Sequence, residues 1–296
     1  MILFERRACG ILYNLLRSLP GDRPFLLPAN VCPVVPMTFR KAGRELRCLD
    51  LDPEDLGMDV QRCLKTVAER PEDWAGVLYV RPYGAETAGA EGFFRDLKEL
   101  RPDLLVIDDR CLCAPDCDGE RLSTAADVTL FSTGRTKPVD LGFGGFAHCR
   151  GEVPYRRFAD EAGSEDWLDL SVAGLEWDAY RSAVREELPK AQEQRRRLNA
   201  IYEAALPVGV RLPAPFQGWR FHLRVSEPDR LVERLFAAGL FASRHYASLG
   251  AAGQFPVAER LHRQIVNLFN DRYFDAERAR RAVDCVLRHL EEGSPA

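Results

Sequence analysis

Two ionisable residues follow apolar, β-rich runs: Asp109 lies just after Leu104–Ile107, and Lys137 just beyond Val128–Ser132. In an open α/β sheet, ligands bind in the crevice at the carboxyl ends of the strands. An amine and a carboxyl sharing that crevice suit pyridoxal 5′-phosphate (PLP), because the amine condenses with its aldehyde while the acid keeps its ring nitrogen protonated. On spacing alone the pair is also open to plainer readings, a solvated lysine and an aspartate that caps a helix.

The elements that must position these groups are legible in the pattern. Up to about residue 150, short β-rich runs alternate with helical segments, the signature of an α/β fold with a mostly parallel central sheet and helices on both faces. The runs predict strands over Phe25–Leu27, Leu46–Leu49, Val77–Val80, Leu104–Ile107, Val128–Phe131 and Gly145–His148. Helices are predicted over Ile11–Leu19, Val34–Ala42, Val60–Ala68 and Gly92–Leu100. In the first of them Ile11, Leu12, Leu15, Leu16 and Leu19 share a face that fits a stripe buried against a sheet.

Arg150–Leu175 reads as irregular, and Glu176–Leu206 as a long charged helix that Pro189 should kink or break. From Gly218 onward the pattern gives a strand (Arg220–Val225), a helix (Asp229–Ala238), a strand near Phe241–His245 and two helices ending at Glu292. The expected division is a large α/β domain over 1–175, then a linking helix and a small α+β domain over 176–296, with a frayed tail from Gly293.

A chain of 296 residues, 46% of them hydrophobic, can bury a substantial core. Its 41 basic and 45 acidic side chains are interspersed and give a net charge of -4, so no basic field exists to hold a nucleic acid. No run of about 18 apolar residues offers a membrane span, and the sequence reads as a soluble, cytoplasmic protein. Nine cysteines without a signal peptide read as reduced thiols. Cys111, Cys113 and Cys117 lack the second Cys pair or adjacent His of a zinc site, with only His148 and Cys149 nearby, so no metal is expected. The glycines at 142, 144 and 145 form no phosphate loop of the G-x-G-x-x-G or G-K-[ST] type.

Phe131–Gly145 reads F-S-T-G-R-T-K-P-V-D-L-G-F-G-G. It resembles the Schiff-base segment of the sugar aminotransferases of the DegT/DnrJ/StrS group, which are fold type I PLP enzymes. Similar matches run along the chain: Pro28, Ala42-Gly43 followed by Leu49–Asp52, Tyr83-Gly84, Val106–Asp109, Leu122–Asp127, and Arg244-His245-Tyr246. Together they cover most of the chain in the family's order.

The resemblance implies the fold type I architecture and a homodimer with its sites at the interface. Lys137 would form the Schiff base and carry the proton between the substrate's α-carbon and the cofactor, and Asp109 would pair with the ring nitrogen. Ser132, and Cys9 and Gly10 at the opening of the first helix, would contact the cofactor phosphate. Tyr83, Arg244, His245 and Tyr246 would face the substrates, an amino acid donor and a keto acceptor such as a keto-sugar nucleotide.

Several positions depart from the family's pattern. Leu112 stands at its Gln, Cys32 at its ring-stacking aromatic and Phe143 at an acidic position; Pro138 follows the lysine. No Asn-x-Arg element occurs near Leu168–Tyr180, and the segment that members carry ahead of the first helix is mostly missing. These changes fit a divergent PLP enzyme or a PLP-fold protein that binds or dimerises without catalysing.

Overall fold

The computed structural model of the chain describes residues 1–158, 167–171, 174 and 176–293. The irregular stretch expected over 150–175 therefore falls partly, and the tail beyond 293 wholly, outside the described residues.

Seven strands form one sheet: β1 (Ile2–Glu5), β2 (Phe25–Pro28), β3 (Leu46–Leu49), β4 (Gly76–Val80), β5 (Leu105–Asp109), β6 (Val128–Ser132) and β7 (Gly145–Cys149). Their spatial order is β1-β7-β6-β5-β4-β2-β3. Pairing is parallel from β3 through β6, while β7 and β1 are antiparallel. The mostly parallel α/β sheet expected from the sequence is present. β1 was not anticipated; its four residues are too short for a periodicity signal, and they are strand only because β7 offers an edge to pair with.

Strand parity sorts the helices onto the two faces. Phe25, Leu27, Leu78, Ile107 and Leu130 point to one side, where α1 (Ala8–Ser18) and α2 (Val34–Lys41) cover them with Ile11, Leu12, Leu15, Leu16, Val35 and Phe39. Leu26, Val77, Tyr79 and Val106 point to the other, against Cys63 and Val67 of α3 (Val60–Glu69) and Phe93, Phe94 and Leu97 of α4 (Ala90–Leu100). Strands buried on both faces explain why these runs are continuously apolar. Arg44 ends α1 by donating to the carbonyls of Leu16 (3.1 Å) and Leu19 (2.9 Å).

Beyond the sheet, α5 (Trp177–Ala205) leads to a three-stranded antiparallel sheet of β8 (Phe221–Arg224), β9 (Ala242–Arg244) and β10 (Ile265–Leu268). Around it lie α6 (Pro228–Ala237), α7 (Pro256–His262) and α8 (Ala276–Gly293). Leu198 and Tyr202 of α5 pack with Phe221, Leu223, Val283 and Val286 in its core. Two expectations need correction. Pro189 does not break α5, which runs continuously through it: it and Arg185 face solvent, so water can satisfy the carbonyl that loses its helical partner. And β10, absent from the elements expected on sequence grounds, is the central strand, because Ile265–Leu268 is apolar enough to be buried on both sides and too short to show a period.

Candidate active site

A cavity of about 490 Å³ opens at the carboxyl ends of β5 and β6. Strand parity decides which side chains reach it. Asp109 continues the Leu105–Ile107 face toward α1, and Ser132 continues the Val128–Leu130 face. Asp108 points to the opposite face, where Arg81 grips it with two bonds of 2.7 and 2.9 Å and Arg110 with a third of 2.7 Å. Of the two adjacent aspartates, one is spent on a buried ion-pair network and the other is left for the cavity.

Asp109 accepts from the Cys111 amide at 2.9 Å, and the Cys111 thiol also contacts it. Burial pushes its carboxyl up, and the nearby Lys137 charge pulls it partly back. Among the described residues no Lys or Arg nitrogen lies within 4.0 Å of it. A buried carboxyl in that condition gains most from a cationic partner entering the cavity.

Lys137 lies in the loop between β6 and β7 and lines the cavity with Ser132, Gly134 and Arg135. The loop is built by local bonds: the Lys137 amide donates to the Gly134 carbonyl at 3.3 Å, and the Thr136 amide to Asp140 Oδ2 at 3.0 Å. Thr136 is left-handed, with φ of 67°.

The opposite wall is the start of α1. Its N-cap residue, Arg7, makes no side-chain capping bond, and Ala8 and Cys9 line the cavity. Uncapped amides and the helix dipole make such an end attractive to an anion. Arg7 adds a cation beside it; a Cβ on Gly134 would lie 3.6 Å from Ser132 Oγ and 3.7 Å from Arg7 Nη1, so the two groups converge there. The Cys9 thiol donates to the Trp167 carbonyl at 3.0 Å, and burial pushes it up to about 11, so it is no nucleophile at neutral pH.

The C-terminal half closes the cavity with Trp219 and Tyr246, whose rings are stacked with centroids 6.5 Å apart. The Tyr246 hydroxyl contacts Cys32, another wall residue.

The structure thus brings Cys9, Asp109, Ser132, Lys137 and Tyr246 to one cavity. Gly10 sits one residue behind the wall, its amide turned to the Arg7 carbonyl at 3.0 Å. Three expected substrate residues are placed elsewhere. Arg244 is turned to Asp229 and the His262 carbonyl. Tyr83 and His245 are packed ring against ring at 4.3 Å in the interior, both buried. Leu112 also lies off the cavity, its carbonyl against Gly84; the residue that reaches Asp109 is Cys111, two positions on along the same face. Cys111 therefore belongs to the cavity, whereas Cys117 packs with Phe4 and Phe131.

Sequence reasoning missed Arg7, Trp167 and Trp219 on the wall. Arg7 carried no capping signal, because no Ser, Thr, Asp or Asn marks the helix start at Ala8. Trp219 carried none, since nothing in its spacing relates it to Lys137.

No protein-family profile and no curated protein sequence matches the chain. Solved structures do. A protein assigned as a PLP-dependent aminotransferase from Bacillus cereus is similar with a TM-score of 0.74 at 17% identity, over 96% of this chain and 85% of that one. A DegT DnrJ EryC1 StrS aminotransferase from Brucella abortus gives 0.72 at 18%, over 97% and 85%. DesV from S. venezuelae, solved in complex with a ketimine intermediate, gives 0.75 at 20%, over 99% and 85%. Across nearly its whole length, the chain has the fold of the PLP-dependent aminotransferases, DegT/DnrJ/EryC1/StrS proteins included.

Proposed function

We propose that this chain is a PLP-dependent aminotransferase that moves an amino group from an amino acid to a keto acceptor, with a keto-sugar nucleotide the first acceptor to test. One observation carries the reading: an amine, a buried carboxyl with no Lys or Arg nitrogen within 4.0 Å among the described residues, and a helix start without an N-cap side-chain bond reach one cavity from three separate elements. Those are the groups that an aldehyde, a ring nitrogen and a phosphate require.

When bound, the cofactor supplies an electron sink for the bond broken at the amino acid's α-carbon. Lys137 would hold the cofactor and move the α-proton. Asp109 would pair with the ring nitrogen and hold its proton. The amides of Ala8 and Cys9, with the Ser132 hydroxyl, would bind the phosphate, and Gly10 lets α1 start close to Leu170, 3.3 Å from where its Cβ would stand. Tyr246 lines the substrate side, and His245 and Tyr83 support it from behind.

We read residues 1–175 as the cofactor-binding part and 176–296 as the part that closes the cavity, in a cytoplasmic homodimer. Among the described residues no helix is long and apolar enough to cross a membrane. Sedimentation velocity reads the dimer directly.

Purified protein mixed with PLP should turn yellow, and borohydride should fix a phosphopyridoxyl group on Lys137. Lys137→Ala should lose that label. Labelling confined to exposed lysines would sink the assignment and leave a PLP-fold protein that works by binding alone.

A further inference from the structure

Lys137 lines two cavities at once. The one described above, of about 490 Å³, lies in front of Lys137, and a second of about 410 Å³ lies behind, lined by α5 residues and by Asp271 and Arg272. With space on both sides, side-chain packing cannot by itself fix where the Lys137 amine points. The left-handed Thr136, a β-branched residue with φ of 67°, adds local strain that something else must hold.

What holds the segment is a set of donors to three consecutive carbonyls. Thr136 accepts from Trp219 Nε1 at 2.8 Å and from Arg220 Nη2 at 3.3 Å. Lys137 accepts from Arg195 Nη2 at 3.3 Å, and Pro138 from Arg195 Nη1. All three donor residues come from the C-terminal half of the chain.

Arg195 is the least expected of them. It is 7% exposed, and among the described residues it has no carboxylate within salt-bridge reach. Asp271, the acid that acts on it, is bonded to Arg220 at 2.6 Å. Burial and the Arg220 charge push the Arg195 guanidinium down to about 10. A buried cation without an acid is costly, and an apolar residue would fill the site more cheaply. Its bonds to Lys137, Pro138, Ala191 and Trp219 are all to carbonyls. A flat guanidinium can hold two neighbouring carbonyls in fixed directions, which an ammonium cannot do.

We propose that Arg195 is a positioning residue for Lys137: its guanidinium forks the Lys137 and Pro138 carbonyls and so sets the direction in which the Lys137 amine enters the front cavity. This rests on the reading of Lys137 as the cofactor-bearing lysine.

The test compares the wild-type protein with Arg195→Met and Arg195→Lys. Each is mixed with PLP and reduced with borohydride, and the labelling rate at Lys137 is measured by peptide mass spectrometry relative to exposed Lys65 in the same sample. Hydrogen exchange at the amides of Thr136, Lys137 and Leu141 is compared with that of β4. Lys137 labelling is expected to fall tenfold or more in Arg195→Met and at least threefold in Arg195→Lys, with faster exchange confined to the loop. A rate within twofold of wild type in folded Arg195→Met overturns the proposal. If that variant does not fold, a wild-type rate in Arg195→Lys overturns it. If wild type itself is not labelled at Lys137, the aminotransferase reading fails, and exchange alone decides the positioning role: faster loop exchange in the variants supports it, and unchanged exchange removes it.

Discussion

Asp109 combines two demands that pull in opposite directions. Burial raises its carboxyl, so charging it costs the cofactor-free protein stability. Below the ordinary carboxyl value of about 4 both folded and unfolded states are protonated and there is no cost. As pH rises the unfolded chain releases its proton first, and stability falls until the raised folded value is passed. Asp109→Asn stays neutral throughout, so at pH 7 the cofactor-free variant should be more stable than wild type. Urea unfolding at pH 7 and pH 4 checks this, since the difference should shrink at the lower pH. In the same variant, transamination should drop about a hundredfold or more, because the cofactor ring loses the group that keeps it protonated. Unchanged turnover would remove Asp109 from its role. The choice of Asp109 over Asp108 was legible in the sequence only as a family correspondence. Its physical reason is strand parity, which needs the register of β5 to be known.

At the scale of elements, the site depends on how closely β7 passes beneath the start of α1. A Cβ on Gly145 would fall 2.2 Å from the Ala8 nitrogen, 2.4 Å from its Cα and 2.7 Å from the Arg7 carbonyl carbon. All three are backbone atoms, so nothing soft can yield. Gly145→Ala should cost about 1–3 kcal/mol or more and weaken PLP binding by displacing the amides of Ala8 and Cys9. Thermal unfolding and a PLP titration measure the two effects. Gly92→Ala in α4, with no atom within 4 Å, serves as control and should be neutral or stabilising. A Gly145→Ala protein that binds PLP as wild type does would show that the helix start is not the phosphate site. The start of α1 at Ala8, three residues before the predicted Ile11, shows where local signals end. Arg7 is an extended N-cap residue with no capping side chain, so the usual Ser, Thr, Asp or Asn marker is missing. A helix end left open to receive a ligand lacks the very residue that would announce it.

For the whole molecule, the two sheets meet where Tyr83 packs against His222 of β8 and against His245, with ring centroids 4.6 and 4.3 Å apart. Burial lowers His245 to about 3, with the His262 charge adding to it, and holds His222 well below its ordinary value. Both are neutral in folded and unfolded states above about pH 6.5. As pH falls through that value the unfolded chain takes up protons that the folded chain refuses, so stability is lost on the acid side. Between pH 6.5 and 5 each histidine should contribute a slope of up to about 1.4 kcal/mol per pH unit. His245→Phe should flatten the pH dependence of the urea midpoint in that window. An unchanged slope would show that this seam does not carry the acid sensitivity. The sequence by itself determined the α/β alternation, most strand and helix positions, and the lysine and carboxyl at the strand ends, because those rest on local periodicity and on motifs that survive in order along the chain. Only the tertiary structure decided that Tyr83, Arg244 and His245 lie off the cavity, that β10 is a central strand, and that Arg195 and Trp219 hold the Lys137 loop. Each of those depends on contacts between residues far apart in the chain, and no spacing rule within a segment encodes which distant carbonyl a buried guanidinium will meet.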